Sequence, residues 1–202
     1  MDSYLTLSSD GEAIYTEKRS KFYAFAFRVK SEEDVKTHVA ALKKKFYDAR
    51  HICYAYALGN DASTTRCNDD GEPAGSAGKP ILGQIRSAGV TFVLVAVVRY
   101  FGGVKLGTGG LATAYKTAAA EALSATEKEE MIITQRFEFE VPYTETDTAI
   151  RFIRNEEGNI SEINYTETGT RMTVEIRCSQ AENLQKRLSK IHSLQWVNEA
   201  MT

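Results

Sequence analysis

Cysteine is scarce in this 202-residue chain: Cys53, Cys67 and Cys178 are odd in number and fit neither a paired disulfide framework nor the CxxC spacing of structural zinc. A reduced compartment is the expectation. Long apolar runs are missing as well. The longest, Val90 to Val98, covers nine residues with Thr91 inside it, against the roughly 20 needed to span a bilayer. The start, Met1-Asp2-Ser3-Tyr4, has an acid where a signal peptide is basic and no apolar segment behind it. A cytoplasmic location without a membrane partner is therefore expected. Histidine is confined to His38, His51 and His192, and no Ser-His-Asp, HExxH or Cys-His pattern runs through them. No catalytic residue and no metal ligand is assigned on that basis.

Excess charge of one sign is also absent. Twenty-five basic residues face 27 acidic ones, which excludes a nucleic-acid binder that works by its overall field. What is present, 43% hydrophobic and 26% charged residues, is the composition of a globular chain with room for one large or two small domains. After the charged stretch Thr126-Glu127-Lys128-Glu129-Glu130, helical periodicity gives way to alternation of Phe137, Phe139 and Val141 with Glu138 and Glu140. This puts a boundary near residue 133 and predicts domains at 1–133 and 134–202.

The first part reads as a hairpin of residues 13–17 and 21–29, with Tyr23, Phe25, Phe27 and Val29 toward the core. Ser31 then caps a helix whose Val35, Val39, Leu42 and Phe46 follow three- and four-residue steps, with Asp34 in the capping-box position. A strand at 51–58, a helix opening at Pro80, a buried strand at 90–100 and an alanine-rich helix at 111–125 complete it. The second part has the order βαββαβ, with strands at 137–143, 160–166, 171–179 and 194–197 and helices at 147–155 and 181–191. That is the split βαβ order of ferredoxin-like domains. Phe137, Phe139, Met172, Val174 and Ile176 form one core-facing set, leaving no aromatic face of the kind that reads bases.

Two segments carry the unusual chemistry. Arg99-Tyr100-Phe101-Gly102-Gly103-Val104-Lys105-Leu106-Gly107-Thr108-Gly109-Gly110-Leu111 leaves a buried strand and enters a helix. Bare amides, a helix N-terminus, two cations and the Thr108 hydroxyl converge there, which is anion-binding chemistry without a Walker pattern. A tight crossover that needs glycine for packing is the alternative reading. The second segment, Gly59 to Pro80, reads as a mobile, solvated loop of roughly 20 residues. Its acids Asp69, Asp70 and Glu72 are hard oxygen donors of the type that holds Mg²⁺, and Lys79 is a further anion contact. His51 and Cys53, two apart on a strand, share a face.

Lys18-Arg19-Ser20-Lys21-Phe22, His51-Ile52-Cys53-Tyr54-Ala55-Tyr56, Asp69-Asp70-Gly71-Glu72-Pro73 through Gly78-Lys79-Pro80, and Arg99 through Gly107 occur in that order. Together they resemble the IMPACT-like (YigZ) family over about residues 15 to 125. The resemblance implies an α+β chain. Its first domain would be of the left-handed βαβ type, as in domain four of elongation factor G and in GHMP-type small-molecule kinases. A ferredoxin-like second domain would follow, as in bacterial members. It also implies a role at the ribosome or on RNA. Eukaryotic members carry an extra N-terminal domain and act in a starvation-kinase pathway, a role not expected for a chain starting at the shared block.

The leading expectation is a non-catalytic translation-associated regulator. It would bind RNA or the ribosome through Lys18, Arg19, Lys21, Lys79, Arg99 and Lys105 around Gly102, Gly103, Gly107, Thr108, Gly109 and Gly110, with His51, Tyr54, Asp69, Asp70 and Glu72 in supporting places. No cofactor is required. The alternatives are a nucleotide-binding enzyme or sensor that uses the same glycines with Mg²⁺ on Asp69 or Asp70, and a protein-interaction module.

Overall fold

A computed structural model describes residues 2–201, with side chains through residue 197, as a mixed α+β chain in two compact units. Residues 4–131 form the first, and residues 132–201 with 2–3 the second. Among the described residues no helix is long and apolar enough to cross a membrane.

In chain order the first unit is built from β1 (Ser3–Leu7), β2 (Gly11–Glu17), β3 (Ser20–Arg28), α1 (Glu32–Lys45), β4 (His51–Leu58), β5 (Thr64–Asn68), α2 (Gly78–Ala88), β6 (Val93–Tyr100), α3 (Gly107–Ser124) and β7 (Lys128–Ile132), with only the end residues Ser3 and Ile132 counted in the second. β1 pairs with β7. The other strands make a five-stranded sheet of order β2-β3-β6-β4-β5, antiparallel throughout.

Period-two alternation divides the sheet's side chains between two covered faces. Ala24, Ala26, Cys53, Ala55, Ala57, Val95 and Val97 pack with Phe22 beneath α2 and α3. Small residues on the strands and Ala114, Ala118, Ala119 and Ala122 on α3 let helix and sheet approach closely. Phe25, Ile52, Tyr56, Leu94, Ala96 and Val98 face Val35, Val39 and Leu42 of α1. The hairpin expectation is corrected here: the Phe22, Ala24, Ala26 face is also core, because helices cover both sides of the sheet. The cap of α1 forms as its sequence dictates. Ser31 Oγ accepts from the Asp34 N–H at 3.2 Å, and Asp34 Oδ2 accepts from the Ser31 N–H at 3.1 Å.

The second unit contains β8 (Thr134–Val141), the short 3-10 turn Tyr143–Glu145, α4 (Thr146–Asn155), β9 (Asn159–Tyr165), β10 (Thr170–Arg177), α5 (Cys178–Leu188) and β11 (Gln195–Met201). Its sheet order is β11-β8-β10-β9, all antiparallel. Phe137, Phe139, Met172, Val174 and Ile176 pack against Ala149, Ile153, Ala181, Leu184 and Leu188 of the two helices.

Candidate functional site

The site grows from the end of β6. Strand register places Arg99 opposite Phe22 of β3 on one side and His51 of β4 on the other. Its guanidinium lies 5.7 Å from the centre of the Phe22 ring and 5.6 Å from that of Phe101, within cation–π range of both. Arg99 Nη1 donates to Glu72 Oε1 at 2.7 Å, and the Tyr115 hydroxyl of α3 donates to the same oxygen at 2.8 Å. Arg99 and Glu72 are each only 8% exposed. Cys53 Sγ donates to the Asp69 carbonyl at 2.9 Å and lies 3.4 Å from the Tyr115 hydroxyl. Burial pushes the Cys53 thiol up to about 12, although the Tyr115 hydroxyl works the other way. Burial likewise raises Tyr115 far above an ordinary phenol. Neither group is a nucleophile at neutral pH.

The loop that delivers Glu72 is pinned by its own acids. Asp69 accepts the N–H groups of Gly75, Ala77 and Gly78 at 2.8, 3.0 and 2.8 Å. Burial alone would raise the Asp69 carboxyl, but those three donors and the Lys79 charge hold it below the usual 3.8. Asp70 Oδ2 accepts from the Ile52 N–H at 2.7 Å, and the Asp70 carbonyl lies 2.8 Å from His51 Nδ1. The expectation of a mobile loop is thereby corrected: Thr64–Asn68 is a strand, and Glu72, Ser76 and Ala77 are buried. Asp69, Asp70 and Glu72 spend oxygens on the protein itself, and among the described residues no group of three or more His, Cys, Asp or Glu is placed to hold a metal ion.

A cleft of about 600 Å³ opens beside this network. Arg50, His51, Arg99 and Lys105 line it with Glu72 and Asp48, and Pro73, Tyr100, Phe101, Leu106 and Leu111 supply an apolar wall. Gly107 and Thr108 border it at the start of α3, where Leu106 occupies the cap position and provides no side-chain hydrogen bond. Among the described residues, the leading N–H groups of that helix therefore have no side-chain cap. Gly103 and Gly107 have φ of 86° and 72°, which glycine adopts without strain. Gly102 is glycine for packing: a Cβ there would lie 2.0 Å from the Arg19 carbonyl carbon, and its N–H donates to Ser20 Oγ at 3.1 Å. Gly102 thus meets the packing demand of a tight crossover, while Gly103 and Gly107 meet a conformational one.

The cleft brings together His51, Glu72, Arg99, Lys105, Gly107 and Thr108. Lys18 and Arg19, at φ of 45° and 68°, form the exposed turn between β2 and β3, and Lys21 is exposed just after it. None of these three lines the cleft, nor does Lys79, which sits beside Gly75. Tyr54 packs on the α1 side of the sheet. Gly109 faces open space, and Gly110 abuts Leu106. Arg99 lies in the wall of the cleft as a buried residue ion-paired with Glu72. Sequence reasoning missed Arg50, Phe101 and Tyr115. Tyr115 had a visible signal, a lone hydroxyl on the buried stripe of an alanine-rich helix four residues after Leu111.

A five-stranded sheet between helices, with this cleft at the end of β6, defines the class of the first unit. The family model of the Impact N-terminal domain matches residues 18–123, a stretch that includes every residue of the cleft. IMPACT family member YvyE of Bacillus subtilis is 32% identical over 167 residues, which cover 83% of this chain and 77% of that one. IMPACT family member YigZ of Escherichia coli is 38% identical over 125 residues, 61% of each chain. A crystal structure described as that of a hypothetical protein superposes with a TM-score of 0.71 at 28% identity, over 98% of both chains. The chain belongs to the IMPACT family.

Proposed function

We propose that this chain is a cytosolic, translation-associated regulator that binds RNA or the ribosome at the cleft and acts by binding. The observation that carries this reading is the meeting of Arg50, Lys105, the bare start of α3 and the Phe101 ring, 56% exposed, on one surface. Cations and backbone amides suit phosphate, and an open aromatic ring suits a base. The near-neutral chain confines this attraction to the patch. A protonated Cys53 favours binding over thiolate chemistry. The family resemblance supports the ribosomal setting. The β11-β8-β10-β9 order and the paired helices of the second unit support the ferredoxin-like reading of that part.

The test is cosedimentation with ribosomes and with naked RNA at low and moderate salt, alongside Arg50→Ala/Lys105→Ala. Both cations are exposed, so the variant is expected to melt like the parent. Salt-sensitive binding that the variant loses supports the reading. Failure of the parent to bind either at low salt and micromolar concentration overturns it.

A further inference from the structure

We propose that the inner wall of the cleft is a subsite for the terminal phosphate monoester of a nucleotide, free or at the end of an RNA strand. This rests on the reading of the cleft as a phosphate-binding surface.

The primary observation is the Arg99 guanidinium. It is more than nine-tenths buried, it lines the cleft, and its Nη1 donates to Glu72 while its Nε has no hydrogen-bond partner among the described residues. A guanidinium carries five N–H donors, and burying them unmet is costly. An anionic oxygen entering from the cleft is the acceptor that suits such a group. The second observation is independent of it. α3 is 18 residues long and begins without a side-chain cap, with Gly107 and the Thr108 hydroxyl at the cleft border. One phosphate would then meet a guanidinium, the Lys105 ammonium, helix-end amides and a hydroxyl.

The carboxylates nearby leave room for that anion. Glu72 Oε1 already accepts from Arg99 and Tyr115, and Asp48 Oδ1 accepts from the Tyr100 hydroxyl at 2.6 Å. Three cations, Arg50, Arg99 and Lys105, line the cleft with these two acids.

Burial of Arg99 selects an end over an internal link. An internal phosphodiester carries a ribose on each side and stays at the rim, where Arg50 and Lys105 are exposed. A terminal phosphate has one ribose behind it and can descend to the wall. Phe101, with Leu106 and Leu111 nearby, then receives the attached base. A volume of about 600 Å³ suits a ligand of this size.

The experiment is calorimetric titration of the intact protein with adenosine 5′-monophosphate, adenosine and inorganic phosphate. Fluorescence anisotropy with a single-stranded RNA oligomer bearing a 5′-phosphate or a 5′-hydroxyl accompanies it. The monophosphate is expected to bind about tenfold or more tightly than either fragment. Arg99→Ala risks unfolding, so the discriminating variant is Thr108→Glu. An acid in the first turn favours the helix, so the melting temperature holds or rises, while its charge repels the phosphate and removes the preference. Equal binding of monophosphate and adenosine, or an unchanged preference in Thr108→Glu, overturns the proposal. If the 5′-phosphate strengthens oligomer binding and the monophosphate competes, the source is an RNA end. If the monophosphate binds and the oligomer's end is immaterial, the source is a free nucleotide. RNA binding that needs Arg50 and Lys105 but is indifferent to the 5′-phosphate, with no preference for the monophosphate over adenosine, sinks this subsite and leaves the RNA reading standing. Monophosphate binding without RNA or ribosome binding does the reverse.

Discussion

At the scale of single residues, the wall of the cleft depends on charges that only the folded chain brings together. Glu72→Ala leaves Arg99 buried without its counter-charge and is expected to cost roughly 3–5 kcal/mol in urea unfolding. Glu72→Gln/Arg99→Met, which removes both charges, should recover part of that loss. Asp69 sets a dependence on acid. Its folded carboxyl is held below 3.8, so its ionised form stabilises the fold above that pH, and the contribution fades as pH falls through the folded value. Asp69→Asn is therefore expected to be less stable than the parent at neutral pH, with the gap narrowing below pH 3.8. Denaturant midpoints measured against pH check this. Cys53, with its thiol raised to about 12, should resist iodoacetamide in the native protein while the half-buried Cys67 and Cys178 react first. Peptide mass mapping reads the order.

At the scale of elements, much was legible from pattern. The capping box at Ser31 and Asp34 follows from spacing alone, and so does the core set Phe137, Phe139, Met172, Val174 and Ile176. Ser31→Ala is expected to cost about 1 kcal/mol. The hairpin face was legible only by half. Phe22, Ala24 and Ala26 look neutral in sequence, and their burial depends on α2 and α3, which lie far along the chain. The ordered loop after β5 was illegible for a related reason. Asp69 and Asp70 read as solvated acids or metal ligands until their backbone donors are known, and those donors come from a turn and from a neighbouring strand. Arg99 read as an available cation because its partner lies 27 positions earlier. The glycines of the crossover separate by experiment. Gly102→Ala drives a Cβ into the Arg19 backbone at 2.0 Å and should largely prevent folding. Gly103→Ala meets open space and pays only for its φ of 86°, about 1–2 kcal/mol. Thermal melts of the two variants measure the contrast.

At the scale of the whole molecule, each unit owns its core: one apolar cluster runs from Phe137 to Ile191, and the others lie between Leu7 and Leu123. Phe139→Ala, at a fully buried position, is expected to cost roughly 3–5 kcal/mol within the second unit. In scanning calorimetry it should lower one transition and leave the other in place. Ligand binding at the cleft should survive it, because every cleft residue belongs to the first unit.

The shared oxygen of Glu72 shapes how this cleft can evolve. Arg99 and Tyr115 both lean on it, so a change at Glu72 strands both at once, and new specificities reached by a single step at that position pass through unstable intermediates. Arg50, Phe101, Lys105 and Thr108 are exposed and carry no such obligation. Divergence in what relatives recognise should accumulate on that rim while the wall stays fixed.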